Sequence, residues 1–259
     1  MRILLTNDDG IQAVGLRALY KSLTGAGHEV VCCAPISEMS AVGHAVTLSS
    51  PLRVKRFLEN GFKGFGISGT PADCVKLGLC ALVEGETDLV VSGINAGGNC
   101  GVDILYSGTV SAATEGALTG LPALAVSYDH FNPTDLSEQA GFVADFVARQ
   151  DWAQVRRGCV LNLNFPARPL AETQGLKVCR HTRAAYRDWY DRRTDPRGRE
   201  YFWLDGVIPP EQLSPDTDRA LLSEGYITLT PLRFDFTDYE VIEALSGAAG
   251  KIPERGNGQ

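Results

Sequence analysis

The sequence predicts an α/β fold built on a doubly wound, mostly parallel, Rossmann-like sheet. Three observations carry this. Short apolar runs alternate with helically periodic segments up to about residue 165. Two of those runs end abruptly in polar, glycine-containing clusters, at Asn7-Asp8-Asp9-Gly10 and at residues 92–99. Beyond residue 165 the texture changes to an arginine- and aromatic-rich stretch. In doubly wound sheets ligands bind beyond the carboxyl ends of the strands, where both clusters fall.

The elements follow in order. Residues 2–6 are a short apolar run, as a buried strand requires, and stop at a turn signature. Leu16, Leu19 and Leu23 recur at helical spacing, with Gly27 where a C-cap belongs. Residues 30–34 form a second apolar run ending at Pro35, which completes a strand–helix–strand unit. Residues 44–57 alternate loosely around Ser49-Ser50-Pro51 and predict a hairpin. Thr70 before Pro71 reads as an N-cap and first helical residue, opening a helix over 71–82. Residues 89–91 are a buried strand, and 92–99 its loop. Residues 109–118 predict a tightly packed helix of small residues, 123–127 a strand, 136–149 a helix and 160–164 a strand. Residues 180–199 hold seven arginines with Tyr186, Trp189 and Tyr190, which predicts an exposed arm. A strand at 227–230, a terminal helix at 239–245 and a frayed polar tail from 251 complete the chain. The division is therefore a core over 1–165 and a C-terminal region over 166–259.

Composition narrows the function classes. Hydrophobic residues at 44% and charged residues at 21% are those of a globular chain. A net charge of -7 disfavours a stable nucleic-acid complex but leaves room for a small phosphorylated ligand, since a metal supplies positive charge locally. Seven cysteines without a CxxC pair fit neither a disulfide framework nor a zinc site, and point to a reducing compartment. No run approaches the roughly 20 apolar residues of a membrane span, and the first residues lack the pattern of a signal peptide. The expected location is cytoplasmic.

Candidate chemistry gathers at the strand ends. Asp8 and Asp9 are adjacent carboxylates, a repulsion that a hard divalent cation relieves, although an Asp-Asp-Gly turn is also an ordinary capping turn. The loop 92–99 combines three glycines, which let backbone N–H groups approach an anion, with Asn95 and Asn99 as neutral oxygen donors; close packing of a glycine-rich turn is the competing reading. Ser107-Gly108-Thr109 opens a helix and suits either a phosphate or plain capping. His44 is the one histidine among these loops and a weaker candidate for contact with a phosphate or leaving group. There is no GxxxxGK[ST] loop and no GxSxG elbow, which argues against a P-loop NTPase and an ordinary α/β-hydrolase. The basic signal of the arm is diluted by Asp188, Asp191, Asp195 and Glu200, so a solvated arm or subunit contact is expected there.

Four stretches then carry a family resemblance: residues 3–10 (ILLTNDDG), 69–75 (GTPADCV), 91–99 (VSGINAGGN) and 106–116 (YSGTVSAATEG). Fainter similarity continues at 195–198 (DPRG) and between Gly225-Tyr226 and Thr230-Pro231-Leu232. The chain resembles the SurE-type survival proteins, a family of metal-dependent 5′/3′-nucleotidases. The resemblance implies metal ligands at Asp8, Asp9, Ser40 and Asn95. The segment holding Ser40 departs from the family pattern: Ile36-Ser37 stands where an acidic-basic pair is usual, and Met39 and Ala41 replace the residues of Gln-Ser-Gly. The resemblance also implies a C-terminal arm exchanged between subunits of a homodimer or homotetramer.

The resulting expectation is a phosphomonoesterase acting on nucleoside 5′- or 3′-monophosphates. Each subunit would use one divalent ion, Mg²⁺ or Mn²⁺, with Ca²⁺ able to occupy the same oxygen ligands. Asp8, Asp9, Asn95 and Ser107 would be catalytic. Asn7, Gly97, Asn99, Ser107, Gly108, Thr109 and His44 would contact substrate. The rivals are an enzyme with an aspartyl-phosphate intermediate on Asp8 or Asp9, and a regulatory protein that binds nucleotide without hydrolysing it.

Overall fold

A computed structural model describes residues 1–249; the polar tail expected from residue 251 lies outside the described residues. Strand β1 (Arg2–Thr6) is buried along almost its whole length, as its uninterrupted apolar run requires, and lies inside the sheet. It pairs in parallel with β2 (Glu29–Pro35) on one side and β5 (Leu89–Ala96) on the other. Beyond β5 lie β6 (Ala123–Tyr128) and β7 (Cys159–Phe165), both parallel to it. Beyond β2 lie β4 (Phe62–Ile67), parallel, and β3 (Val54–Glu59), antiparallel. The chain thus winds to one side of β1 and later returns to the other. In open α/β sheets the ligand crevice lies at such a reversal, here between β1 and β5.

Helices cover both faces. On one, α1 (Val14–Gly25) buries Leu16, Leu19 and Leu23 and shares a core cluster with Val143 and Val147 of α4 (Ser137–Arg149). Each such leucine contributes about 1.5–3 kcal/mol of burial. On the other face lie α2 (Pro71–Leu77) and α3 (Gly108–Leu118). The start of α2 is as the sequence predicts: Thr70 and Asp73 form a reciprocal capping box before Pro71. The predicted helix to residue 82 divides, because the turns at Gly78–Leu82 widen to π geometry. Helix α3 is buried nearly throughout. Its Gly116 lies so close to β5 that a Cβ there would come within 2.6 Å of the Val90 side chain, which explains the run of small residues.

Two expectations differ from what is found. The hairpin predicted over 44–57 is displaced: residues 44–53 are irregular, and β3 and β4 form the hairpin around Asn60-Gly61. Asn60 at φ 50° and Gly61 at φ 81° supply the two left-handed positions of a tight hairpin turn, a demand that outweighs the weak alternation upstream. The loop predicted at 92–99 is strand as far as Ala96. Pairing of β5 with β6 is interrupted after Ser92 and resumes at Asn95 opposite Ser127, so Gly93-Ile94 is a bulge within the strand, and Gly97-Gly98 follow its end.

In the C-terminal region, β8 (Leu176–Val178) and β11 (Ile227–Arg233) extend the nine-stranded sheet, β11 running antiparallel to β7. Helix α5 (Asp218–Glu224) precedes β11, and Gly225 at φ 96° ends it. The arginine-rich stretch forms a separate antiparallel ribbon, β9 (Arg187–Thr194) with β10 (Glu200–Val207). Helix α6 (Tyr239–Ala249) follows. All seven cysteines are free. Among the described residues no helix is long and apolar enough to cross a membrane.

Candidate active site

At the crevice between β1 and β5 lies a cleft of about 710 Å³. Asp8 and Asp9 leave the end of β1, Glu38 and Ser40 the segment after β2, and Asn95 and Gly97 the end of β5. Ser107, at the start of α3, and Asp103 and Tyr106, in the turn before it, form another wall. The four expected metal ligands therefore converge on one cavity from three separate strand ends.

Local bonding fixes each group. Asp8 is 4% exposed and accepts the Thr109 hydroxyl proton. Burial pushes its pKa up, against the Thr109 hydroxyl and the amides of Gly108 and Thr109. Gly108 allows this approach, since a Cβ there would lie 2.6 Å from that of Asp8. Asp9 accepts the Ala96 amide at 3.0 Å. Burial, then the neighbouring Asp8 charge and Glu38, push Asp9 up to about 6, with the Ala96 amide opposing. Asn95 donates its Nδ2 to the Gly97 carbonyl at 2.8 Å, which leaves its Oδ1 as an uncommitted acceptor. Ser40 donates to Glu38 Oε1 at 2.6 Å and keeps its lone pairs.

The expected phosphate contacts divide. Ser107, Gly97 and Asn99 line the cleft. Ser107 Oγ accepts the Val110 amide at 3.1 Å, an N-cap that leaves the hydroxyl proton free to donate. Asn7 is fully buried and donates to the Gly10 carbonyl at 3.0 Å, holding the turn that presents Asp8 and Asp9. Gly108 and Thr109 stand behind Asp8. Asn99 is also buried: its amide donates to Asn164 Oδ1 at 2.8 Å and its Nδ2 to Ser127 Oγ at 2.7 Å. His44 does not line the cleft; its Nε2 is 2.8 Å from Glu115 Oε2, and Glu115 also accepts Lys76 at 2.6 Å.

Several residues at the site were not singled out from sequence. Asn162 and Asn164 of β7 both donate to the Asn99 carbonyl, at 2.9 and 3.2 Å, and support the loop after β5 from below. Glu38, Asp103, Tyr106 and Phe131 line the cleft. Tyr106 falls inside the fourth family-like stretch and was available as a signal; Phe131 lies in none of the four.

The charge of the lining decides what can enter. Its carboxylate side chains are Asp8, Asp9, Glu38 and Asp103, with no lysine, arginine or histidine among the lining residues. Among the described residues no group of three or more His, Cys, Asp and Glu is arranged around a cation position. The donor set here is two carboxylates with neutral hydroxyl and amide oxygens, which suits a hard, water-retaining cation and not a soft one.

The family model described as Survival protein SurE matches residues 3–188. The chain belongs to the SurE family. It is 66% identical over 250 residues to the 5'-nucleotidase SurE of Solidesulfovibrio magneticus, covering 96% of this chain and 98% of that relative. It is 64% identical to the 5'-nucleotidase SurE of Nitratidesulfovibrio vulgaris, covering 96% and 93%. The crystal structure of the SurE protein from Aquifex aeolicus superposes with a TM-score of 0.82 at 35% identity, covering 96% of this chain and all of that one.

Proposed function

We propose that this SurE-family chain is a metal-dependent nucleotidase that releases phosphate from nucleoside 5′- or 3′-monophosphates. Nucleotidase activity follows from relatives at 60–66% identity that bear that name. The observation that carries metal dependence is the acidic lining: Asp8, Asp9 and Glu38 face the cleft with no basic side chain among the lining residues and would repel a phosphate dianion. Burial and mutual repulsion already push Asp9 up to about 6, so the carboxylates favour a positive partner.

Asp8, Asp9, Ser40 and Asn95 fit a hard divalent ion, Mg²⁺ or Mn²⁺. When bound, such an ion neutralises phosphate charge and acidifies a water. The remaining work belongs to the chain. Ser107 donates its free hydroxyl proton to a phosphoryl oxygen as negative charge redistributes. Thr109 and the start of α3 hold Asp8 in place, and Asn7 holds the turn beneath it. Asn99, fixed by Ser127, Asn162 and Asn164, keeps the Gly97 backbone at the cleft.

The arm over β9 and β10 is separate from the main sheet and exposes Tyr190, Phe202, Trp203 and Leu204. A second copy of the chain is the occupant these faces suit, in a homodimer or homotetramer. Free cysteines throughout are compatible with a cytoplasmic enzyme.

The test is phosphate release from a panel of nucleoside monophosphates, first with EDTA and then with Mg²⁺ or Mn²⁺ restored. Release only with metal is the expected result. Stoichiometric nucleotide binding without release would overturn the assignment.

A further inference from the structure

Two adjacent residues at the start of α5 hold one wall of the cleft, a wall more than a hundred positions away in sequence. Asp218 is fully buried. Its carboxylate accepts the Gly101 amide at 2.9 Å, the Thr182 amide at 2.7 Å and the Arg219 amide at 2.7 Å. Three segments are thereby tied together: the turn after β5, the irregular entry to the arm, and α5. The fit at this junction is close, for a Cβ on Gly101 would lie 2.4 Å from the Thr182 side chain. Gly101, at φ 56°, opens the short helical turn that presents Asp103 and Tyr106 to the cleft.

Arg219 acts on the same wall by charge. Its guanidinium pairs with Asp103 and donates to the Cys100 carbonyl at 3.3 Å. Both partners are sheltered, with side chains 28% and 21% exposed, so solvent screens the pair only in part. Asp103 is one of four carboxylates lining the cleft, and Arg219 neutralises it from behind without lining the cleft itself. Asp218 and Arg219 lie outside the span matched by the family model, residues 3–188.

We propose that Asp218 and Arg219 are positioning residues for substrate binding: Asp218 fixes the Asp103–Tyr106 wall and Arg219 cancels its negative charge. The inference rests on the nucleotidase reading and adds to it the part of the site that faces the nucleoside. The wall stands beside the metal ligands and not among them. Ser107 belongs to the same wall but is held by α3, whose Val110 amide donates to its Oγ at 3.1 Å, so losing the support of Asp103 and Tyr106 weakens nucleotide binding and leaves the phosphate chemistry intact. Arg219 also separates two roles of the junction: shape, which tolerates any side chain of similar volume, and charge, which does not.

The test compares wild type with Arg219→Met, Arg219→Lys and Asp218→Asn on a nucleoside monophosphate and on glycerol phosphate, with added Mn²⁺. Arg219→Met keeps the apolar stem and loses the charge. KM for the nucleotide is expected to rise about tenfold, in the range seen when one member of a sheltered charge pair is removed, with kcat within about twofold. The increase should shrink as salt is raised, because screening relieves an unbalanced Asp103. Arg219→Lys should recover most of the loss. Asp218→Asn should raise the nucleotide KM without the salt dependence and leave kcat/KM for glycerol phosphate unchanged. An equal loss on both substrates, or an Arg219→Met effect that ignores salt, would overturn the proposal. If Asp218→Asn fails to fold, the Arg219 pair alone decides. Failure of the nucleotidase reading would be visible separately, as absence of release by the wild type.

Discussion

The Asp9 carboxylate accepts the Ala96 amide at 3.0 Å, a bond across 87 positions of sequence that ties the turn after β1 to the end of β5. It closes the crevice at the point where the sheet reverses direction. Asp8, one residue earlier, points instead to the start of α3, where Thr109 donates to it. Two neighbouring carboxylates are thus held by two different elements, and neither is free to move away from the other.

Replacing Asp8 with Asn tests this arrangement. Asn has the same shape and retains an oxygen for the Thr109 hydroxyl, so the fold should survive with an unchanged circular dichroism spectrum. Phosphate release should fall on the order of 100-fold or more, the scale of losing a charge aimed at the reacting group. Near wild-type turnover by a folded Asp8→Asn protein would remove Asp8 from the metal site.

Metal binding should also register without catalysis. A ligand that binds only the folded state stabilises by about 2.7 kcal/mol at one hundred times its Kd, and for a chain of this size that raises Tm by about 5–10 °C. Mn²⁺ added to EDTA-treated protein should produce such a shift, and the Asp8→Asn, Asp9→Asn double variant should lose it. An equal shift in both proteins would place the metal elsewhere.

Acid should unfold the protein partly through two carboxylates outside the metal site. Burial pushes Asp73 up, but the Thr47 hydroxyl and amide and the Thr70 amide outweigh it and hold the group below its ordinary value. Burial also pushes Glu115 up, and bonds from Lys76 and His44 outweigh it in the same way. Both folded values lie below the unfolded ones of about 3.9 and 4.3, so their stabilisation is complete above roughly pH 5. It is lost as pH falls through the lower folded values. Asp73→Asn and Glu115→Gln should each lower Tm at pH 7 and leave it closer to wild type at pH 3. Parallel Tm curves across that range would show that neither carboxylate contributes.

These anchors mark where the sequence was readable and where it was not. Thr70, Pro71 and Asp73 are local: a cap, a first-turn proline and a partner three residues on can be read without the fold. The strand ends bearing Asp8, Asp9 and Asn95 were equally visible, because buried parallel strands are apolar until they reach the crevice. Asn60-Gly61 is a two-residue hairpin signal in its own right, and the weak alternation at 44–57 is not a strand pattern that competes with it. Asn162 and Asn164 could not be read as supports for Asn99. In β7 they look like polar interruptions, and only the register of three strands, β5, β6 and β7, brings them under the loop. Asp218 and Gly101 are 117 positions apart, and no periodicity links them.

Two glycines with positive φ separate strain in the fold from strain in the site. Gly61 sits at φ 81° with nothing within 4 Å of where a Cβ would stand, so Gly61→Ala meets no neighbour and costs only backbone strain. That is about 1–2 kcal/mol, which should lower Tm by a few degrees and leave turnover unchanged. Gly97 sits at φ 120°, and a Cβ there would lie 3.0 Å from the Phe131 ring at the cleft. Gly97→Ala therefore carries the same kind of backbone strain and must also displace a ring that lines the site. Its Tm should fall by at least as much, and phosphate release should fall with it. Measuring both variants side by side checks the assignment of the β5 end to the active site. If Gly97→Ala lost stability but kept full activity, the Gly97 backbone would have no part in holding the substrate.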